Sequence, residues 1–466
     1  MSKIYLYDSR AKQKLEFISQ EKDKAKIYVC GPTVYDDAHL GHARSAIVFD
    51  ILHRVLKANN YEVTMAKNFT DVDDKIINKM KDSGKTLEEI TEFYIKSYKN
   101  DMNSLNILQN TIEPKATDNI RAMKTLINTL IEEDKAYILE DGVYLDTSKD
   151  ENYGNISHRI SDENSQARIT TTVSKRDSKD FALWKFKDDE VNFEASFGAG
   201  RPGWHCECSA MINEHLSDKS LEFAVDIHGG GADLLFPHHE NEASQTRMAY
   251  NQEISKYWMH NGFVNIDGEK MSKSLGNSFF LKDALKLYNA EVIRFYMMTT
   301  HYKSDLSYTL EDLEGSKKRL DKLYRVKKRV YGMGGSSVNK ELKQSIITAM
   351  NDDMNTSVTL SIIDEYISKI NETLDKEPKN KALKKELVAG IEFISDILGI
   401  GYQDSFKYFQ FGISEEDIKN IEDLILKRTQ AKKDKNFELS DTIRDELKNI
   451  NISIMDTANG TLWEKL

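Results

Sequence analysis

The first part of the chain carries a pattern of apolar positions that predicts a strand, a helix and a second strand. Residues 25–30 form a short apolar run that ends at the turn-forming pair Gly31-Pro32. From about residue 41 to residue 57, apolar side chains recur every three or four positions, which is the period of an amphipathic helix. A second apolar run follows at residues 61–67. Strand, helix and strand in this order make a βαβ unit, so we predict a parallel sheet.

The pattern changes further along the chain. A predicted strand at 221–227 leads into three consecutive glycines, and α/β alternation continues to about residue 300. Between about residues 118 and 200 helical segments give way to a polar stretch, which we interpret as an insertion into the α/β domain. From about residue 303 the pattern is almost entirely helical, with a glycine- and serine-rich linker at 332–337 and a small terminal module at 412–466.

Composition narrows the class of protein. With 466 residues, 39% of them hydrophobic, the chain predicts a globular protein of two to four domains. No apolar stretch approaches the roughly 18 residues of a membrane helix, and Asp8 interrupts the N-terminal segment before the apolar run of a signal peptide could form. The net charge of −11 disfavours a broadly basic nucleic-acid binder but is compatible with a local basic face for RNA. We therefore expect a cytoplasmic enzyme without a membrane partner.

The run His39-Leu40-Gly41-His42 lies where the first predicted strand passes into the helix. Free backbone N–H groups and the helix dipole favour an anion at this place, and Gly41 lets a ligand approach the backbone closely. The alternative interpretation is that the two histidines only cap the helix.

A second run, Lys270-Met271-Ser272-Lys273-Ser274, follows a predicted turn. Two lysines three positions apart, with hydroxyls between them, make a cationic clamp for a triphosphate, although such a run can also be a solvated basic loop. Together the two runs predict an enzyme that uses ATP to activate a carboxylate as an adenylate. We assign His39 and His42 to the α-phosphate, and Lys270 and Lys273 to the departing pyrophosphate, with Mg²⁺ accompanying the ATP.

A third group of residues predicts a metal. The three cysteines are Cys30, Cys206 and Cys208. Their small and odd number disfavours a disulfide framework and points to metal binding or catalysis. His238 and Glu242 are four positions apart, on one face if the segment is helical. With Cys30 and either Cys206 or Cys208 they form a plausible Zn²⁺ set. The alternative is two buried free thiols beside a helix whose His and Glu are satisfied by hydrogen bonds.

The chain resembles the bacterial-type cysteinyl-tRNA synthetases, which belong to the class I aminoacyl-tRNA synthetases with HIGH and KMSKS signatures. The resemblance covers essentially the whole length. Besides the two signature runs, it rests on residues 28–35, 69–75, 180–185, 200–205, 226–233 and 237–242.

The resemblance implies the roles of further residues. In this family a single Zn²⁺ holds the sulfur of the substrate cysteine, and the implied ligands are Cys30, Cys208, His238 and Glu242, with Cys206 where the family usually has an apolar residue. Spacing does not choose between the two cysteines, because positions i and i+2 of a strand share a face. The remaining implied contacts are Gly31, Thr70 and Trp204 for L-cysteine, and Gly41, Asp233 and Ser272 together with the signature residues for ATP. Asp233 would contact the ribose, and the alternative is that it only caps a helix. His205 and His228 lie either around the zinc-bound thiol or elsewhere as ordinary buried histidines.

The resemblance also implies the domain order and the partners. The predicted fold is α/β, a Rossmann-like class I catalytic domain with an insertion, followed by helical and small anticodon-binding domains. We expect a monomer that takes L-cysteine, ATP and tRNA(Cys), with Lys432 and Lys433 on the RNA backbone. Trp463 is the candidate for stacking on a base, and the alternative is that it closes a small core of the terminal module. The predicted segments are 1–117 and 200–300 for the catalytic halves, 118–199 for the insertion, 301–335 for stem-contact helices, 336–402 for a helical bundle and 412–466 for the anticodon-binding domain.

Two other functions are compatible with parts of this pattern. A cysteine ligase of the same fold could pass the adenylate to an amino sugar, although such relatives lack the terminal module. A zinc-dependent RNA-binding protein without catalysis would not need the two signature runs.

Overall fold

A computed structural model describes residues 3–159, 175–266, 269–270 (backbone only), 280–457 and 460–465. The chain divides into two units. Unit 1 comprises Met1–Lys282, Thr300–Thr309 and Ile346–Thr359, and unit 2 comprises Asp283–Thr299, Leu310–Ser345 and Leu360–Leu466. The six-part division predicted from the sequence stays a prediction.

The strands of the described residues are β1 Tyr5–Asp8, β2 Gln13–Glu16, β3 Lys24–Val29, β4 Glu62–Lys67, β5 Ala136–Leu139, β6 Gly142–Leu145, β7 Phe181–Phe186, β8 Gly200–Pro202, β9 Phe223–Gly231, β10 Glu253–Asn261, β11 Val264–Ile266, β12 Glu269–Lys270, β13 Leu306–Tyr308, β14 Ile452–Thr457 and β15 Gly460–Lys465.

The helices are α1 Leu40–Ala58, α2 Asp74–Ser83, α3 Leu87–Ser104, α4 Ile120–Glu132, α5 Trp204–His215, α6 Glu240–Tyr250, α7 Leu281–Leu287, α8 Ala290–Met297, α9 Leu310–Lys328, α10 Lys340–Asn351, α11 Thr356–Lys376, α12 Lys381–Leu398, α13 Ser405–Tyr408, α14 Glu415–Lys433 and α15 Phe437–Asn449. Short helical turns lie at Thr117–Asn119, Thr147–Lys149, Ala232–Leu234 and Leu235–His239.

A four-stranded parallel sheet forms the centre of unit 1, in the order β10-β9-β3-β4. The predicted βαβ unit is confirmed as β3, α1 and β4. Strands buried on both faces need long apolar runs, and β9 is buried along most of its length. Because β3 and β9 are neighbours, residues that are some 200 positions apart in sequence meet at the middle of the sheet.

An antiparallel sheet of β5, β6, β7 and β8 interrupts the parallel one between β4 and β9. It packs with α4 around apolar side chains that include Leu126, Leu145, Leu183 and Trp184. The sheet reaches Pro202, three residues past the end predicted for the insertion. Most of the polar stretch noted in the sequence falls at 160–174, outside the described residues.

The prediction of an almost entirely helical chain after residue 303 is wrong in two places. The strand β13 joins β11 in parallel within unit 1. In unit 2, β14 and β15 form an antiparallel hairpin at the end of the chain. The hairpin segments carry β-branched and aromatic side chains at alternating positions, and one face packs on α14 and α15. Among the described residues, no helix is long and apolar enough to cross a membrane.

Candidate active site and metal centre

The parallel sheet has a topological switch point between β3 and β9. The connection from β3 runs through α1 to β4 on one side, and the connection from β9 runs through α6 to β10 on the other. A crevice forms beyond the carboxyl ends of two such strands, and ligands of α/β sheets bind in it. Cys30 directly follows β3, and the glycine run Gly229-Gly230-Gly231 ends β9.

Four side chains with metal-binding atoms meet at this crevice. The ligand atoms of Cys30, Cys208, His238 and Glu242 all lie within 4.8 Å of one another. The two sulfur atoms are 3.6 Å apart, Cys208 Sγ is 3.8 Å from His238 Nε2, and Cys30 Sγ is 3.5 Å from Glu242 Oε1. Tetrahedral zinc with Zn–S near 2.3 Å and Zn–N or Zn–O near 2.1 Å requires S···S distances of about 3.8 Å and S···N or S···O distances of about 3.6 Å. The donor set and the distances to the two sulfur atoms therefore fit Zn²⁺, whereas His238 Nε2 and Glu242 Oε1 are 2.8 Å apart and would have to separate by about 0.6 Å to share the ion.

The charges of these four side chains are strongly interdependent. Burial raises the pKa of Cys30 well above that of a free thiol, and the neighbouring Cys208 sulfur adds to the effect. Burial alone would also raise the pKa of Cys208, but the hydrogen bonds from Cys30 and His238 bring it down to about 6. Burial disfavours the carboxylate of Glu242, yet His238 and His228 hold its pKa well below the usual range. The site thus stabilises a thiolate and a carboxylate, the forms that bind metal. Burial disfavours the charged form of His238, but Glu242 and Cys208 raise its pKa to about 10, so a metal would displace the proton from this ring.

The four residues Cys30, Cys208, His238 and Glu242 are called the cage below, and neighbouring side chains fix their orientation. His228 Nε2 lies 2.8 Å from Glu242 Oε2, and its Nδ1 lies 3.1 Å from the Tyr28 carbonyl oxygen. His205 Nδ1 lies 3.0 Å from His238 Nδ1, the ring nitrogen that points away from the cage. The Trp204 ring stacks on His238 with centroids 4.0 Å apart. Such partners hold a ligand in one orientation, so His205 and His228 are not isolated core histidines.

His239 was missed in the sequence, although it directly follows His238. Its Nε2 lies 3.3 Å from Cys30 Sγ, and its Nδ1 lies 2.8 Å from His260 Nε2. The ligand atoms of a second four-residue group, Cys30, His228, His239 and Glu242, also lie within 4.8 Å of one another. We favour the first group because both ring nitrogens of His228 already face oxygen atoms, and because it offers two thiolates, soft ligands that select zinc. The adjacent pair His238-His239 was the feature of the sequence that could have indicated a role for His239.

The structure distinguishes Cys206 from Cys208. The segment predicted as a strand is the helix α5, so the two side chains point in different directions. Cys208 faces Cys30, whereas Cys206 Sγ donates to the Leu183 carbonyl oxygen at 3.3 Å. Cys206 belongs to neither potential metal group.

His39 and His42 lie at the N-terminus of α1, and each caps the backbone of the other. The backbone N–H of His42 donates to His39 Nδ1 and that of His39 donates to His42 Nδ1, both at 3.3 Å. The two rings stack with centroids 3.7 Å apart and are only partly buried. A Cβ atom on Gly41 would lie 2.9 Å from His39 Cε1, so a glycine is needed beneath the ring. The helix-capping interpretation is confirmed, and both rings and Gly41 remain partly exposed at this end of α1.

The residues that follow the lysine-rich run are attached to the same end of α1. The backbone N–H of Leu281 donates to the Ala38 carbonyl at 2.8 Å, and Phe280 pairs with His39. The Lys282 ammonium pairs with Asp37, whose other oxygen accepts a hydrogen bond from Ser97 at 2.8 Å. Ser272 and Lys273, and the side chain of Lys270, lie outside the described residues.

The residues implied for L-cysteine and for the ribose lie around the crevice. The N–H of Gly31 donates to Asn68 Oδ1 at 2.7 Å, and a Cβ there would lie 1.6 Å from the Asn68 carbonyl oxygen. The buried Thr70 hydroxyl donates to Glu207 at 2.8 Å. Asp233 is exposed in the turn after β9 and caps no helix.

Of the three residues predicted to contact RNA, Trp463 is the one whose predicted role the structure contradicts. Its side chain is only 5% exposed and packs in the core of α14, α15 and the hairpin with Ile425 and Leu447. The prediction that it stacks on a base is wrong, because the side chain is buried in this apolar core. Lys432 pairs with Asp456 at 2.6 Å, and Lys433 is exposed.

Comparison with known protein families places the chain among the class I synthetases. Residues 16–318 match the family described as tRNA synthetases class I (C) catalytic domain, and residues 345–403 match the DALR domain. Solved structures similar in fold include a methionyl-tRNA synthetase of Mycobacterium tuberculosis in complex with methionyl-adenylate (TM-score 0.59, 13% identity, 81% of this chain and 92% of that one). Another is a LeuRS of Agrobacterium radiobacter K84 in a ternary complex with tRNA and LeuAMS (TM-score 0.61, 10% identity, 86% of each chain).

Comparison with curated proteins is more specific. A cysteine--tRNA ligase of Aliarcobacter butzleri is 63% identical over 100% of both chains. A cysteine--tRNA ligase of Nitratiruptor sp. is 57% identical over 99% of this chain and 100% of its own length. The chain therefore belongs to the cysteine--tRNA ligase family of class I aminoacyl-tRNA synthetases.

Proposed function

We propose that the protein joins L-cysteine to tRNA(Cys) at the expense of ATP. The observation that carries the proposal is the position of the four-residue cage formed by Cys30, Cys208, His238 and Glu242. It lies at the switch point of the parallel sheet, and Cys30 is nine residues before His39 at the start of α1. A site suited to a thiol is thus connected by one short segment to a site suited to phosphate.

The cage residues would hold one Zn²⁺, and their buried thiolate and carboxylate support this choice. When bound, the ion supplies a position that takes a thiolate tightly and a hydroxyl or a methyl group poorly. This difference in metal affinity separates cysteine from serine more strongly than an apolar pocket can separate two substrates of nearly the same shape. A separate editing site is therefore not required. Gly31, Thr70 and Trp204 are proposed to line the remainder of the amino-acid site.

The chain's own groups would support adenylate formation. An oxygen of the cysteine carboxylate attacks the α-phosphorus of ATP, and the bond to pyrophosphate breaks. The start of α1 and the rings of His39 and His42 are proposed to stabilise the charge on the α-phosphate. Lys270, Ser272 and Lys273 are proposed to contact the departing pyrophosphate and Asp233 the ribose, with Mg²⁺ as the counter-ion of ATP.

The second step transfers the cysteinyl group to the RNA. A ribose hydroxyl at the 3′ end of tRNA(Cys) attacks the carbonyl carbon of the adenylate, and AMP leaves. Lys433 is exposed and can contact the RNA backbone, whereas Lys432 would first have to exchange its partner Asp456. The cytoplasmic location and the monomeric state stay predictions.

Exchange of labelled pyrophosphate into ATP tests the first step. We expect exchange that depends on L-cysteine and is lower with L-serine by at least about 10⁴-fold, the range a site reaches when it binds a substrate group specifically. Charging of tRNA(Cys), measured against transfer to an amino sugar, tests the second step. Exchange without dependence on cysteine, or transfer to the sugar alone, would contradict the proposal.

A further inference from the structure

A cavity of about 240 Å³ lies in unit 1, on the face of the parallel sheet that carries α1. Its walls come from α1, from the end of β4, from α3 and from the segment that follows α3. Phe49 and Met102 make part of it apolar, and Asn103 and Gln109 are exposed side chains of its lining. Cavities for drug-sized ligands measure about 300–1,000 Å³, so an occupant of this one is small.

Lys67, the last residue of β4, is a buried cation in this cavity. The residue is only 8% exposed, and it lines the cavity beside Tyr98. In the part of the chain that the structure describes, its ammonium group has no ion-pair or hydrogen-bond partner. It lies 5.4 Å from the centroid of the Tyr98 ring, a contact that replaces only part of a lost hydration shell. Buried lysines are normally paired, so this one indicates an anionic ligand.

His53 is a second buried polar side chain of the same cavity. It is 9% exposed, and neither ring nitrogen has a hydrogen-bond partner among the described residues. Burial lowers the pKa of His53, so the ring is neutral near pH 7 and offers one N–H donor. An oxyanion would accept from both His53 and Lys67.

The carboxylates that line the cavity are already neutralised by other groups. Asp50 Oδ2 accepts from Arg54 Nε at 2.8 Å, and Asp50 Oδ1 accepts from the Leu108 N–H at 2.8 Å. Glu113 pairs with Lys99 at 2.6 Å and accepts a hydrogen bond from Asn110 at 2.9 Å. The charge of Lys67 is therefore the one left without compensation among the described groups of the lining.

We propose that this cavity is a binding site for a small oxyanion of the phosphate type, held by Lys67 and His53 and separate from the proposed ATP site. Phosphate oxygens accept hydrogen bonds and carry negative charge, so they match the Lys67 ammonium and the His53 N–H as donors. The source of the oxyanion is either the free ion or a phosphate group of bound RNA.

The Tyr98 side chain connects the cavity with the proposed phosphate site at the start of α1. Tyr98 lines the cavity, and its ring lies edge-on to the His42 ring with centroids 6.4 Å apart. An anion that draws the Lys67 ammonium away from the Tyr98 ring would let this ring move, and the packing of Tyr98 against the His42 ring would change. We therefore expect occupancy to alter the Michaelis constant for ATP.

The test is a calorimetric titration of the protein with inorganic phosphate at constant ionic strength, which measures the affinity for phosphate. The full-length protein is used with its adenylate site filled by a non-hydrolysable sulfamoyl analogue of cysteinyl-adenylate. Lys67→Met keeps the buried alkyl chain and removes the charge, and we expect it to weaken phosphate binding by about 10-fold or more, as for loss of a charge-assisted hydrogen bond. Lys96→Met removes an exposed charge from the outer side of α3 and should bind as the wild type does.

Lys67→Arg serves as the second variant, because it retains the cation and should retain binding if the fold is intact. Equal phosphate affinity of the wild type and Lys67→Met would overturn the proposal. If Lys67→Met also lowers the affinity for tRNA, the natural oxyanion is a phosphate of the RNA. If tRNA affinity is unchanged while phosphate binding is lost, it is the free ion.

Discussion

Cys206 and Cys208 illustrate how much the local conformation decides at the scale of single residues. Successive helix positions are rotated by about 100°, so positions i and i+2 of α5 point to nearly opposite sides. One thiol enters the cage with Cys30, and the other lies under β7 in an apolar core. The sequence alone left this choice open, because the surrounding residues are compatible with a strand as well as a helix.

The cage predicts opposite behaviour for the two cysteines. Cys208→Ser should lose zinc from the purified protein, because a serine hydroxyl is a poor zinc ligand and burial makes its ionisation costly. Cys206→Ser should retain about one zinc per chain, since this thiol is in neither group of potential ligands. Elemental analysis of both variants after dialysis gives the answer. Retention of zinc by Cys208→Ser would assign the metal to other residues.

At the scale of elements, α1 combines a structural and a chemical task at one end. Its first residues bear the reciprocal histidine cap, and its apolar face lies on the parallel sheet. The helix and its two flanking strands were predictable, because each shows a clear hydrophobic period over enough residues. The hairpin of β14 and β15 was not predicted, since two six-residue segments beside long helices carry too weak a period to stand out.

The double task of His39 can be separated by two substitutions. His39→Ala removes the cap and should cost about 1 kcal/mol of stability, together with a fall in kcat for pyrophosphate exchange of about 10²-fold or more. Asparagine is a good N-cap residue, so His39→Asn should keep the stability within about 0.5 kcal/mol and still lose the activity.

Urea unfolding and exchange kinetics measure the two effects of these substitutions. Normal activity of His39→Asn would restrict the role of the imidazole to capping.

At the scale of the whole molecule, unit 2 is built around a buried acid. Glu291 accepts hydrogen bonds from the Tyr324 hydroxyl at 2.7 Å, from Gln403 Nε2 at 3.1 Å and from the Gly401 N–H. Burial raises the pKa of Glu291 to about 7, although these hydrogen bonds work in the opposite direction. The acid joins α8, α9 and the segment after α12, three parts of the chain that no sequence pattern connects.

The raised pKa predicts a pH-dependent stability. Below about pH 4.5 Glu291 is protonated in both the folded and unfolded states, and its contribution is fully present. As the pH rises to about 7 the unfolded state loses the proton first, so the free energy of unfolding falls by up to about 3 kcal/mol. Glu291→Gln cannot titrate and should show no such fall. Urea unfolding of both proteins between pH 4.5 and pH 8 tests this, and an identical pH dependence would exclude Glu291 as its cause.

The candidate site was predictable only in part, because its residues, like the partners of Glu291, come from segments that are far apart in the sequence. The resemblance to a known family supplied Cys30, Cys208, His238 and Glu242, and the structure brings their ligand atoms together. Spacing could not have done so, because the ligands come from three separate segments. The burial of Trp463 and the contact of His239 with Cys30 depend on how distant elements pack, which local patterns do not encode.

The distance in sequence between the cage residues also has a consequence for protein synthesis. Cys30 is 178 positions from Cys208 and 212 from Glu242, so the loop that the cage closes contains the whole interrupting sheet. A growing chain carries a single cage residue until almost half of it has been translated. Closing so long a loop is entropically costly, and it becomes favourable only when β9 can pair with β3. If the cage and residues 270–274 have the roles proposed above, products that end before residue 208 contain the start of α1 but lack both the complete cage and the second signature run, so they could neither select a thiol nor form an adenylate.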